Sequence, residues 1–137
     1  MIAKYIIDSN LNLLVEVFHG EIYLKELDII INEQMKNADF KSVSKVLTDS
    51  RLANILLNPM QIDEYIKGLK VQIEEINLVW AIVVNDPHST ALSFVIKNDS
   101  FFKNRVGVFS SIEAASDFLL LNLSQKDLDT YEYTIIE

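Results

Sequence analysis

The run Leu78-Val79-Trp80-Ala81-Ile82-Val83-Val84 constrains this chain more than any other stretch. Seven consecutive apolar residues, rich in β-branched side chains, are too few to cross a membrane. They predict a strand buried on both faces, as in parallel sheets with helices above and below. The Asn85-Asp86-Pro87-His88 turn that follows places a capping side chain before a proline, which predicts a helix starting directly after the strand.

The preceding sequence predicts a hairpin. Tyr5-Ile6-Ile7 and Asp8-Ser9-Asn10 read as a strand and a turn. Leu13, Val15 and Val17 then alternate with Leu14, Glu16 and Phe18, a second strand with one better-buried face that exits at Gly20. Leu24, Leu27, Ile30, Ile31 and Met35 mark an amphipathic helix over about 23–36, although Tyr23 is a poor N-cap. Asn37-Ala38-Asp39-Phe40 closes that helix and leads into a third strand, Lys45–Asp49. Residues 50–58 are apolar without a clean period, and both a short helix and a packed loop suit them.

Asn58-Pro59 opens a second helix ending near Glu75, with Ile62, Tyr65, Ile66, Leu69 and Ile73 inward. The helix after Pro87 turns Ala91, Leu92, Val95 and Ile96 inward, and Arg105–Phe109 forms the last strand. Ser110-Ser111-Ile112-Glu113 fits a capping box between Ser110 and Glu113. It opens a fourth helix carrying Ile112, Ala115, Phe118 and Leu119 and ending near Asn122. The fold class is therefore α/β: a mostly parallel five-stranded sheet opened by a β-hairpin, with helices packed on it. Residues 1–122 make one domain. Residues 123–137 make a tail, where the alternation of Tyr131, Tyr133 and Ile135 suits an edge strand, a subunit contact or a frayed end.

A net charge of −8 argues against nucleic acid and anionic membrane surfaces as partners, since both require a basic face. The absence of cysteine removes disulfides, thiolate zinc sites and cysteine nucleophiles, and it suits a cytoplasmic protein. Met1-Ile2-Ala3-Lys4-Tyr5 lacks the apolar core of a signal peptide. With two histidines and three scattered glycines, the chain carries no standard metal or nucleotide motif, and no cofactor is expected.

The element order resembles the STAS-like, or SpoIIAA-like, family of small bacterial domains similar to anti-sigma-factor antagonists. The resemblance rests on Val17–Leu27, Asn37–Phe40 with Lys45–Arg51, Leu78–Pro87, and Val106–Ala115, and it spans about 4–121. It implies a non-enzymatic regulatory module that binds a protein partner or its own copy. Antagonists of that superfamily carry a phosphorylated serine in an Asp-Ser-Ser-Gly-type motif at a helix start. Here Leu57-Asn58-Pro59-Met60 enters the corresponding helix, so the phosphosite is not carried over. A response-regulator receiver is rejected, because a lone Asp8 leads into a hairpin rather than a helix.

The candidate site is the exit of the central strand. Asp86, His88, Ser89 and Thr90 gather where ligands of open α/β sheets bind, with Arg51 able to line the same groove. The plainer reading makes Asp86 a helix cap, His88 a solvent-exposed residue, and Asp49–Arg51 an ion pair that fixes its loop. Asp86 and His88 lack a nucleophile and an orienting third group, so no catalytic residues are assigned. His19 reads as a surface imidazole. Trp80, Tyr65, Phe94, Phe101, Phe102 and Phe109 fill a core or border an apolar cavity between sheet and helices, of the kind the resemblance to the SEC14 lipid-exchange architecture implies. The alternative function is therefore the binding of a small apolar or anionic ligand.

Overall fold

The N-terminal alternation becomes an antiparallel pair, β1 (Ala3–Asp8) and β2 (Leu13–Ile22), in the computed structural model, which describes all 137 residues. After α1 (Leu24–Met35) and a 3-10 turn at Ala38–Ser42 come β3 (Lys45–Ile55), α2 (Pro59–Ile73), β4 (Val79–Val83), α3 (Pro87–Asn98) and β5 (Val106–Phe109). The chain ends with α4 (Ile112–Phe118), α5 (Gln125–Thr130) and β6 (Thr134–Ile136). No helix is long and apolar enough to cross a membrane.

The fold is α/β, but the sheet is mixed and six-stranded, in the order β5-β4-β3-β2-β1-β6. The expectation of a mostly parallel five-stranded sheet is corrected. β2 through β5 pair in parallel, while β1 pairs antiparallel with both β2 and β6. The sixth strand comes from residues 123–137, whose polar start forms α5 and whose end returns to the hairpin. Its anchor is Ile136, buried against β1.

The three parallel crossovers step the same way along the sheet, so the right-handed rule places α1, α2 and α3 on one face. Leu27, Ile30, Leu69, Ile73, Leu92 and Ile96 pack there against Leu14, Phe18, Trp80 and Ile82. The return from β5 to β6 covers the opposite face, where Ile112 and Ala115 of α4 and Leu128 of α5 meet Leu13, Val15, Leu47, Ala81 and Val83. The central strand is thus buried on both sides, as its apolar run predicts.

Several local expectations change. β2 is buried on both faces from Leu13 to Phe18, because it is an interior strand, and it continues through Gly20 at φ +72°. Residues 50–55 belong to β3 rather than to a helix or loop. The register slips there: Val17 faces Asp49 and His19 faces Leu52, so β3 carries one extra residue. The bulge reverses the in/out alternation, with Val46 and Thr48 on the α1–α3 side before it and Ala53 and Ile55 after it. That reversal erased the period.

Met35 is exposed, and Gln34 occupies the inward position on α1. On α3 the inward face is Ser89, Leu92, Ser93 and Ile96, while Ala91 and Val95 face solvent. Ser111, not Ser110, caps α4, accepting from the Ala114 amide at 3.2 Å. Glu113 does not close that box; its carboxylate accepts from the Gln125 amide at 2.8 Å and ties α4 to α5.

Candidate functional site

β2, β3 and β4 lie side by side, and their alternate residues point up at α1, α2 and α3. At most of these positions the side chain is apolar. At two it is not. Glu16 stands between Leu14 and Phe18 on β2, and Thr48 follows Val46 on β3. The two face each other across the strand pair, with 2.5 Å between the Thr48 hydroxyl and Glu16 Oε2. Gln34 reaches down from α1 and donates through Nε2 to Glu16 Oε1 at 2.7 Å. Trp80 donates its indole Nε1–H to Thr48 Oγ1 at 2.8 Å. Each side chain of the cluster therefore has at least one partner, the condition for keeping such groups inside an apolar layer. Burial pushes the Glu16 carboxyl above its ordinary range, against the smaller opposing effect of its Gln34 and Thr48 hydrogen bonds.

This cluster borders an unfilled space. A cavity of about 60 Å³ lies between the sheet and α1 and α2; of its sixteen lining residues, only Glu16 and Gln34 are not hydrophobic. A second cavity, about 40 Å³, adjoins it toward α3 and is lined by Ser50, Ile55, Ile82, Ser89, Leu92 and Ser93 among others. Phe18, Leu27, Tyr65 and Trp80 border both. Each space is a few times the roughly 10–15 Å³ that a single water needs. A ligand of more than a few heavy atoms must join them by displacing those shared side chains. Tyr65 is the outermost of the four, and it also lines a surface groove between α1 and α2 with Asp28, Glu64 and Gly68. Burial, with Glu16 and Asp28 nearby, raises the Tyr65 phenol and keeps it protonated.

The residues expected to form a site at the end of β4 divide between the two faces. Ser89 is buried and lines the second cavity. Asp86 caps α3, accepting from the Ser89 amide at 2.8 Å; that bond, the Ser89 hydroxyl and the His88 amide hold its carboxyl below the usual range. Thr90 donates back to the Asp86 carbonyl at 2.7 Å, and His88 is exposed. Local capping thus occupies Asp86 and Thr90.

Arg51 lies on the opposite face. Its Nε and Nη2 grip the Asp49 carboxylate at 2.9 and 2.8 Å, and Nη2 also reaches Gln125 Oε1 at 2.5 Å. This ion pair fixes the loop and also lines an open cleft of about 460 Å³ with Lys4, Asn85, Asp129 and Tyr133. Asp49 and Gln125 use three of the five guanidinium donors. His19, near Lys4 and Asp49, is partly buried; burial lowers its pKa, and its Nε2 has no partner.

Glu16, Gln34, Thr48 and Ser93 escaped the sequence reading. One signal was present: a carboxylate flanked by Leu14 and Phe18 on a strand apolar on both faces must itself be buried. No protein-family model matches the chain, and a search of curated proteins finds no match.

Proposed function

We propose that this chain is a non-enzymatic, cytoplasmic binding module whose site is the pair of adjoining cavities between the sheet and α1–α3. The observation that carries the reading is the pair of adjoining, mainly apolar spaces left unfilled between the sheet and α1–α3, where a close-packed interior would leave none. Apolar walls with few polar groups are the general form of a small-molecule site, and here they hold a small, mainly apolar ligand. Native mass spectrometry of freshly purified protein, joined to a thermal-shift panel of short aliphatic and aromatic compounds, tests it. One bound equivalent with a raised Tm is expected. A clean apo mass and no shift across the panel would overturn it.

A second reading keeps the STAS-like resemblance and makes the chain a protein-interaction module. It is favoured by the outer face of α3, where Phe94 and Val95 are 44% and 47% exposed. The tail offers less for docking. Tyr131 donates to Asp8 at 2.8 Å, Tyr133 donates to the Leu128 carbonyl at 2.6 Å, and Ile136 is buried. Sedimentation velocity of the chain and of a Phe94→Lys, Val95→Lys double variant tests self-association. A dimer that the double variant abolishes is expected, and a wild-type monomer removes the homodimer form of this reading.

A further inference from the structure

A second opening lies on the other face of the sheet, where β4 stops short. β3 pairs with β4 only as far as Asp49, while its ladder with β2 runs on to Ile55. The strand ends, α5 and Tyr133 enclose the open cleft of about 460 Å³ that Arg51 lines. That volume falls in the roughly 300–1,000 Å³ range of small-molecule sites. Its place, at the carboxyl end of parallel strands, is where open α/β sheets bind ligands. Leu52 lies in this cleft and is 62% exposed, an apolar side chain that the fold leaves uncovered.

The charges of the cleft are balanced but incompletely paired. Asp49 spends both carboxylate oxygens on Arg51, whose two Nη1 hydrogens stay free. Lys4 meets no carboxylate; its ammonium lies 4.6 Å from the centre of the Tyr133 ring. Asp129 receives one hydrogen bond, from Gln125 Nε2 at 3.0 Å, and pairs with no cation. Nearby, Glu113 is committed to the Gln125 amide, while burial and Lys4 hold His19 below its ordinary pKa and uncharged at pH 7.5. An anion alone would face Asp129, and a cation alone would face Lys4 and Arg51. A ligand carrying both charges meets neither repulsion. The gap is short: Gln125 bridges it with one amide, Oε1 accepting from Arg51 at 2.5 Å while Nε2 donates to Asp129. The carboxylate and ammonium of an α-amino acid, both borne by Cα, cover the same span.

We propose that this cleft is a second site, separate from the cavities under α1–α3, and that it binds a free α-amino acid with an apolar side chain. Arg51 Nη1 and Lys4 hold the carboxylate, Asp129 holds the ammonium, and the side chain covers Leu52.

Amide NMR titrations of the full chain at pH 7.5 test this with L-leucine, L-phenylalanine and glycine. Two further probes, 4-methylpentanoate and 3-methylbutylamine, keep the branched chain of leucine and one charge each. Leucine or phenylalanine should shift the amides around Arg51, Asn85 and Gln125 and leave the Trp80 indole fixed. It should bind about tenfold more tightly than glycine or either single-charge probe. Lys4→Gln and Asp129→Asn break no ion pair, and each should weaken that binding about fivefold while amide shifts outside the cleft stay those of the wild type. Glycine or a single-charge probe binding as well as leucine and phenylalanine would overturn the ligand assignment, as would binding that either variant leaves intact. No binding by leucine or phenylalanine, or shifts confined to Trp80 and the α1–α3 cavities, would overturn the site without bearing on the cavity reading.

Discussion

The two faces of the sheet are built on different rules. Under α4 and α5, the side chains of Leu13, Val15, Leu47, Ala81 and Val83 are completely enclosed, and the polar groups are the buried Ser116 hydroxyl, which takes the Leu123 amide, and the Asp49–Arg51 pair at the margin. Under α1–α3, a carboxyl, an amide and several hydroxyls lie inside the layer, and unfilled space remains beside them. Close packing maximises dispersion contacts, so the first face is the one that holds the fold together per residue. The second gives up some of those contacts. That difference is what a binding function requires, because a fully packed layer has no room for a guest.

Matched truncations are the most forceful way to break the comparison. Leu47→Ala, beneath α4, should cost about 4 kcal/mol in urea unfolding, whereas Leu69→Ala, beside the larger cavity, should cost about 2 kcal/mol, because part of its surroundings is already empty. Equal costs would mean that the faces are packed alike. Next in size is the margin of the tight face. Arg51→Ala leaves Asp49, whose side chain is 6% exposed, without its guanidinium, and should cost about 1–2 kcal/mol; Arg51 is itself 25% exposed, so solvent screens part of the loss. Gly20→Ala probes a place outside both layers. Nothing obstructs an added Cβ, but φ +72° penalises any L side chain, and a loss of about 1 kcal/mol by the same measurement is expected.

The smallest effect is a slope with pH. Glu16 is raised above 4.5 in the folded chain and ordinary in the unfolded one, so between those two values the folded state binds more protons. Stability should therefore fall as pH rises from about 4.5 through the folded value. Glu16→Gln keeps the size of the side chain and an acceptor for Gln34 and should flatten that fall, as read by urea midpoints across pH 4–8. An unchanged slope would show that Glu16 is not held as the neutral acid.

The sequence carried the sheet-and-helix order well, because that information is local. Asn58-Pro59 and Asp86-Pro87 announce their helices, and the run at Leu78–Val84 announces an interior strand. What it carried badly depends on distant partners. The β3 bulge exists to match β2, so the 50–55 stretch has no period of its own. Thr134–Ile136 becomes a strand only because β1 has a free edge. The site followed the same division. Ser89 was legible beside a capped strand end, but its direction, into the interior and away from Arg51, depends on which sheet face α3 covers. Glu16 and Gln34, eighteen residues apart, become one feature only when α1 folds over β2.

The chain has a single tryptophan, and Trp80 borders both cavities while its indole hydrogen is committed to Thr48. One resonance, the Trp80 indole Nε1–H, therefore reports on the interior of the loose face alone. Titration with 1-hexanol should shift it saturably to a one-to-one endpoint. An indole signal that stays fixed in the folded protein, as hexanol is raised to its solubility limit, would contradict a binding cavity between the sheet and α1–α3.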